Sequence, residues 1–192
     1  MKSGKLFAAI CCFAVLLVSM KAMAGEPVSL VSVRNMSFHP VIRNSSDQVE
    51  VRTIRLANGV YEKGRRNVDL NYEFLRSGQI VLCDVNLDGR QDALVVLYHI
   101  KGDRQMTQLA VVLNVNGKSV HAASREFGEG TEVMDLSFTK SFVKVPGSGL
   151  MAHRGVISAQ VSNEKYCNGQ GKTVYFIFDS NRLHGQDPFN LK

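Results

Sequence analysis

Beyond its first two dozen residues, the chain shows little helical periodicity and many stretches that alternate apolar and polar residues or run together as β-branched residues. Residues 49–56, VEVRTIRL, alternate, and Ala57-Asn58-Gly59 then turns the chain into Val60-Tyr61. Residues 79–83 and 93–100 flank an acidic loop, and residues 109–115, LAVVLNV, lead into Asn116-Gly117. That dipeptide is the strongest short hairpin signal present, with residues 119–124 as the return strand. Stretches at 133–138, 141–145, 155–161 and 173–178 complete a set of about nine or ten strands. The pattern predicts a mainly β chain, an antiparallel sheet or sandwich with little helix in a single domain. ALVVLYHI, residues 93–100, is apolar almost throughout, which predicts a central strand covered on both faces. RTIRLANG and VYFIFDS look half-exposed or peripheral.

The segments outside these strands define the expected organisation. Lys2 and Lys5 precede an apolar run at residues 6–18, and Ala22-Met23-Ala24 has the small-x-small pattern of a signal-peptidase site. Residues 1–24 are therefore expected to be a cleaved signal peptide, because the run is shorter than the roughly 20 residues a membrane span needs. Ala8-Ala9-Ile10 before Cys11 and Cys12 does not make a lipobox. Residues 25–47 read as a loosely structured lead-in, 48–180 as the β-rich domain and 181–192 as a polar tail. The glycine-rich stretch 145–155, VPGSGLMAHRG, reads as a long loop. The expected product is a periplasmic or secreted bacterial protein with no transmembrane span in its mature chain.

Charge and cysteines narrow this picture. The net charge of +6 includes Lys2, Lys5 and Lys21. The mature chain of about 168 residues carries about +3, too mild an excess to point to nucleic acid. Cys83 and Cys167 remain after cleavage, and an even count in an oxidising compartment reads as a disulfide. Closing that loop of roughly eighty residues would stabilise the fold by roughly 4 to 5 kcal/mol in the chain-entropy model. Two free, buried thiols are the alternative.

The densest chemistry lies in CDVNLDGRQDALVVL, residues 83–97. Counting from Asp84, side-chain oxygens fall at positions 1, 3, 5 and 9, from Asp84, Asn86, Asp88 and Asp92, and Arg90 at position 7 offers its backbone carbonyl. Gly89 permits the sharp turn that gathers these groups around one centre. Calcium takes six to eight hard oxygen ligands, and this set with water supplies them. The metal-free alternative is an Asp-Gly turn whose side chains bond local backbone N–H groups. An EF-hand is excluded, because its position 12 would be Val95, inside the apolar strand.

The shorter pattern D-x-[DN]-x-D-G-x-x-D, followed by a hydrophobic strand, resembles the calcium loop of FG-GAP and integrin-type repeats. A single copy is present, so a propeller is not expected. Together with IRLANGVYEKG, QLAVVLNVNGKSV and REFGEGTEVMDLSF, in that order, it also resembles small exported bacterial proteins of unassigned role. These stretches cover less than half of the mature chain. The resemblance implies Ca2+ as the ligand of Asp84, Asn86, Asp88, Arg90 and Asp92. Two positions depart from the pattern: Cys83 stands where a glycine usually precedes the first Asp, and Leu87 replaces a glycine at a position that favours an unusual backbone conformation. Arg90 adds a positive charge that competes with a cation.

Other candidates are weaker. His39, His99, His121, His153 and His184 form no zinc-binding spacing, and no Gly-x-Ser-x-Gly elbow is present. Residues 147–149, GSG, lack the strand-to-helix setting of a phosphate cradle. Lys63, Arg65 and Arg66 form a basic cluster that reads as a solvated turn or as a contact for an anionic surface. Tyr72, Phe74, Tyr175, Phe176 and Phe178 read as core or as the lining of a groove. The resulting expectation is a non-enzymatic binding or structural module with an unidentified protein or envelope partner. The alternative is an envelope enzyme or enzyme accessory, such as an inhibitor, with its site in the 145–155 region.

Overall fold

A computed structural model of the chain describes residues 27–43, 48–66, 68–69, 71–144, 150–163 and 171–186. Residues 1–24, expected to be a signal peptide, and Cys167 lie outside these. The described residues form one short helix, α1 (Leu30–Arg34), and thirteen strands. Strands β1 (Ser37–Phe38), β2 (Val41–Arg43), β3 (Val49–Val51) and β4 (Ile54–Arg55) form two small ladders, β1 with β4 and β2 with β3. Strands β5 (Val60–Lys63), β6 (Glu73–Cys83), β7 (Asp92–Lys101), β8 (Arg104–Val115) and β9 (Lys118–Glu129) make a five-stranded sheet in chain order. Strands β10 (Glu132–Lys144), β11 (Met151–Ser162), β12 (Lys172–Asp179) and β13 (Arg182–Gln186) make a second sheet of four, also in chain order. Every pairing is antiparallel, as the mainly β reading predicts.

The five-stranded sheet lies between two covers. Six successive residues of β7, from Asp92 to Leu97, are fully buried, so neither face of this stretch of the central strand meets water. Ala93, Val95 and Leu97, with Leu75, Ala110 and Val112, pack against Val28, Val33, Phe38, Ile42, Ile54 and Leu56 of the N-terminal layer. Leu94 and Val96, with Leu109 and Val111, pack against Leu136, Ile157, Ala159, Phe176, Phe178 and Leu183 of the second sheet. This is the side-chain alternation of a strand, with both of its faces apolar.

Turn chemistry sets the hairpin registers. Asn116 and Gly117 have φ of 53° and 80°, and Val115 pairs with Lys118 across them, a two-residue turn of the primed type. Ser180 and Asn181, at φ 50° and 58°, turn β12 into β13 in the same way. In β6 the register shifts between Ser77 and Ile80, and a Cβ at Gly78 would overlap the Tyr98 ring. Glycine there makes room for Tyr98, over which the Arg76 guanidinium stacks at 4.9 Å.

Several boundaries differ from the sequence-based expectation. Residues 27–43 are an ordered part of the core, in place of a loose lead-in. Ser29 caps α1 by a reciprocal pair of bonds, Ser32 N–H to Ser29 Oγ at 3.1 Å and Ser29 N–H to Ser32 Oγ at 2.9 Å. The buried Gln108 side chain then grips the backbone of one β2 residue on both sides: the Val41 N–H donates to Gln108 Oε1 at 3.0 Å, and Gln108 Nε2 donates to the Val41 carbonyl. VEVRTIRL is two strands, because Val49 and Val51 are exposed on β3 whereas Ile54 and Leu56 are buried. Residues 132–144 form one continuous strand. VYFIFDS is core, with Phe176, Ile177 and Phe178 buried. The tail expected from residue 181 supplies β13 and the buried Leu183, and residues 151–155 of the expected loop belong to β11, with Lys144 opposite Met151.

If the N-terminal layer is a cover, Phe38→Ala should lower stability by about 3–5 kcal/mol. A urea unfolding midpoint unchanged from wild type would restore the loose lead-in.

Candidate functional site: the acidic loop

Residues 84–91 connect β6 to β7, and their side chains divide between two surroundings. Val85 points inward, 2 % exposed, into the cluster shared with the second sheet. Asp84, Asn86 and Asp88 meet over the turn instead. Asp84 Oδ1 and Asn86 Oδ1 both accept the Asp88 N–H, at 2.9 and 3.2 Å, and Asp84 Oδ2 accepts the Gly89 N–H at 3.2 Å. Asp88 accepts the Arg90 N–H on Oδ1 at 2.9 Å and the Asn86 amide on Oδ2 at 3.0 Å. Gly89 has φ 84° and Leu87 φ 62°. Leu87 thus holds a left-handed conformation where the resembling loops carry glycine, at a cost of roughly 1–2 kcal/mol.

Two further groups fix the loop to the sheets. Lys140 of β10 places its ammonium 3.5 Å from Asp84 Oδ2, giving that carboxylate a counter-charge from the opposite sheet. Asp92, the first residue of β7, is fully buried. Its Oδ2 accepts the Val85 N–H at 3.1 Å and its Oδ1 the Asn114 N–H of β8 at 2.8 Å. Burial pushes the Asp92 carboxyl above the usual range, and bonds from the backbone of Asn114, Val85 and Asn86 oppose that rise. Of the five expected calcium ligands, Asp84, Asn86 and Asp88 therefore converge, and Arg90 follows on the same turn with its N–H given to Asp88. Asp92 is turned inward and engaged as a backbone anchor. Among the described residues no group of three or more His, Cys, Asp or Glu side chains is placed to hold a metal ion.

Among the described residues Cys83 has no disulfide partner. Its proposed disulfide partner, Cys167, lies outside the described residues. Burial, followed by the neighbouring Asp92 and Asp84 charges, pushes the Cys83 thiol up to about 12, so it is held protonated and unreactive at neutral pH.

The histidines with altered protonation serve the fold. His99 of β7 donates from Nε2 to Glu73 Oε1 of β6 at 2.9 Å, both side chains being almost fully buried, and Arg52 pairs with the other Glu73 oxygen. That carboxylate would favour a charged imidazole, but burial, then Arg52 and Lys101, prevails and lowers His99 to about 4. His121 of β9 is likewise lowered to about 4 by burial and then by His39. It accepts the His39 N–H on Nδ1 at 3.1 Å, and its Nε2 lies 2.8 Å from the Ser124 hydroxyl.

A cleft of about 460 Å3 opens beside the acidic loop, bordered by Asn86, Leu87, Leu113, His153 and Asp179, with Arg154 held 3.7 Å from Asp179. A second, of about 610 Å3, lies by the basic turn, where Arg66, Asp69, Tyr72 and Asp103 face it. Lys140, Gln108 and Asn114 were not among the residues singled out from sequence. Their roles arise from partners far along the chain, and no local pattern marks them. Comparison with protein-family models, with curated proteins and with solved structures finds no match to this chain.

Two predictions follow from this geometry. Asp92→Asn should cost about 2–4 kcal/mol, because the amide must point its NH2 at one of two backbone N–H donors it replaces as acceptor. A variant whose urea midpoint matches wild type would show that Asp92 is not an anchor. Acidification should also weaken the fold. Between the unfolded imidazole value of 6.5 and the folded value of about 4, the unfolded chain binds protons that His99 and His121 do not. Stability is therefore fully present above 6.5 and falls as pH drops towards 4, by about 2 kcal/mol per imidazole at pH 5. Urea unfolding at pH 7 and pH 5 measures this, and equal midpoints would contradict it.

Proposed function

We propose that the protein is a non-catalytic, exported β-sandwich module that acts through binding or structure. Its acidic loop serves as a staple that takes Ca2+ on Asp84, Asn86 and Asp88, with the Arg90 carbonyl and water completing the shell. What supports the ion reading is the gathering of Asp84, Asn86 and Asp88 over one turn, where their oxygens bond the N–H groups of Asp88, Gly89 and Arg90 as in the metal-free turn and would exchange these for the cation. Asp92 contributes from behind, fixing the loop backbone through Val85. With only three side chains in the ligand series, affinity is modest, and the Lys140 ammonium competes for Asp84. The non-catalytic reading is supported by the use to which the strongly altered groups are put: Asp92, His99 and His121 each hold one part of the fold to another. The export reading rests on the charged start, apolar run and Ala22-Met23-Ala24 of the first 24 residues.

A second reading, an enzyme accessory with its site near residues 145–155, is favoured by the cleft where His153 and Arg154 meet Asn86 and Asp179. In that case the acidic loop is one wall of a ligand site, with Lys140 as a counter-charge to Asp84.

Thermal unfolding with calcium and with excess chelator tests the staple. Calcium at about ten times its dissociation constant should raise the melting temperature by a few degrees. The shift should vanish in Asp88→Ala and grow in Lys140→Met, which removes the competing charge. No shift in any of the three proteins would withdraw calcium and leave Lys140 as the counter-charge.

A further inference from the structure

The β10–β11 hairpin runs past the rest of its sheet. The last rung between β11 and β12 joins Val156 to Ile177, and β12 ends two residues on at Asp179, whereas β10 and β11 stay paired for five more rungs, from Lys140 opposite Gly155 to Lys144 opposite Met151. Side chains of an antiparallel pair alternate in face, so the face that buries Leu136, Phe138 and Ile157 towards the first sheet continues outward as Lys140, Phe142, Lys144, Met151 and His153. Along this extension the face is exposed. Phe142 is 57 % and Met151 49 % accessible, and the adjoining Leu150 is 70 %. The opposite face is anchored by Val143, which is fully buried with Val156 and Ile177. The exposed side chains thus stand on a fixed platform. Phe142 meets His153 edge-on with ring centres 5.0 Å apart.

Charge says what this face fits. Residues 136–163 contain no Asp or Glu and carry Lys140, Lys144 and Arg154. Lys140 and Arg154 lean back onto Asp84 and Asp179 at the root of the hairpin, which leaves Lys144 beside Phe142 and Met151 further out. A second copy docking by two-fold symmetry would bring these cations together. The alternation of lysine with large apolar side chains instead matches a bilayer surface, where the apolar groups enter the acyl boundary and the ammonium groups stay at the headgroups.

We propose that the exposed face of the β10–β11 hairpin, Phe142, Lys144 and Met151 with Leu150 beside them, docks on the surface of an anionic lipid bilayer. The energetic logic is two weak terms acting together, apolar insertion and attraction to headgroup phosphate, so binding is reversible and falls with salt.

The test uses the chain from Gly25, which contains every described element and lacks the apolar run of residues 6–18. It is sedimented with vesicles of phosphatidylcholine alone and of phosphatidylcholine with phosphatidylglycerol. Binding to the anionic vesicles alone is expected, weakened about tenfold in Phe142→Ser and in Met151→Ser. Lys144→Glu should weaken it as well. Both apolar side chains are exposed, and circular dichroism checks that the variants fold. The chain has no Trp, so Phe142→Trp is a single reporter whose emission should shift to the blue on the anionic vesicles. Equal sedimentation with both vesicle types, or none, overturns the proposal. So does wild-type binding by both serine variants, which would mean that charge alone is read, or a Trp emission that does not move.

Discussion

The first six residues of strand β7 have no side that faces water. Asp92 to Leu97 are fully buried in succession, so the sheet around them is stable only if both of its faces are covered. A single sheet of four closes one face. The other is closed by a thin layer of one helical turn and two short ladders, none of which would hold its shape alone. The chain order follows from this constraint: cover, sheet, cover. The N-terminal layer gains its order from the sheet it shields, and the sheet gains a dry second face in return.

A dry interior makes each polar group within it decisive, since an unpaired one costs far more than a paired one contributes. Each is placed to hold a cover or a loop to the sheet. Gln108 gives a partner to both the N–H and the carbonyl of Val41, Asp92 ties the β6–β7 loop and the β8 backbone to one point, and Glu73 joins His99 to Arg52 from the N-terminal layer. The acidic loop inherits its shape from this arrangement. With Val85 plugged into the core and Asp92 turned inward, Asp84, Asn86 and Asp88 are left together on the outside, facing Lys140 across the sandwich. The same carboxylates that invite a cation are therefore those whose repulsion the fold must already offset.

Much of the sheet was legible in the sequence because its signals are local. Continuous apolar residues marked β7, Asn116-Gly117 marked the β8–β9 turn, and alternation placed most of the long strands. The short N-terminal elements were not legible, since each contributes one or two buried side chains and no period emerges from so few. Phe38 and Ile42 look like isolated apolar residues until the sheet supplies their neighbours. The acidic loop was legible as a cluster of oxygens, and the difficulty expected at Leu87 agrees with its positive φ. The inward turn of Asp92 was not, because it is decided by the Asn114 N–H, twenty-two residues away in the chain. The overhanging hairpin likewise depends on where β12 stops, which no pattern within β10 or β11 records.

The central claim is that the N-terminal layer, the five-stranded sheet and the loop anchored by Asp92 open as one cooperative unit. Native-state hydrogen exchange tests it at single amides. The Val41, Val85 and Asn114 N–H groups, bonded to Gln108 and Asp92, should exchange with the same free energy as the amides of Val95 and Leu97, equal to that of global unfolding. Fast exchange of Val41 that does not depend on denaturant would show the N-terminal layer opening by itself, and would contradict the account.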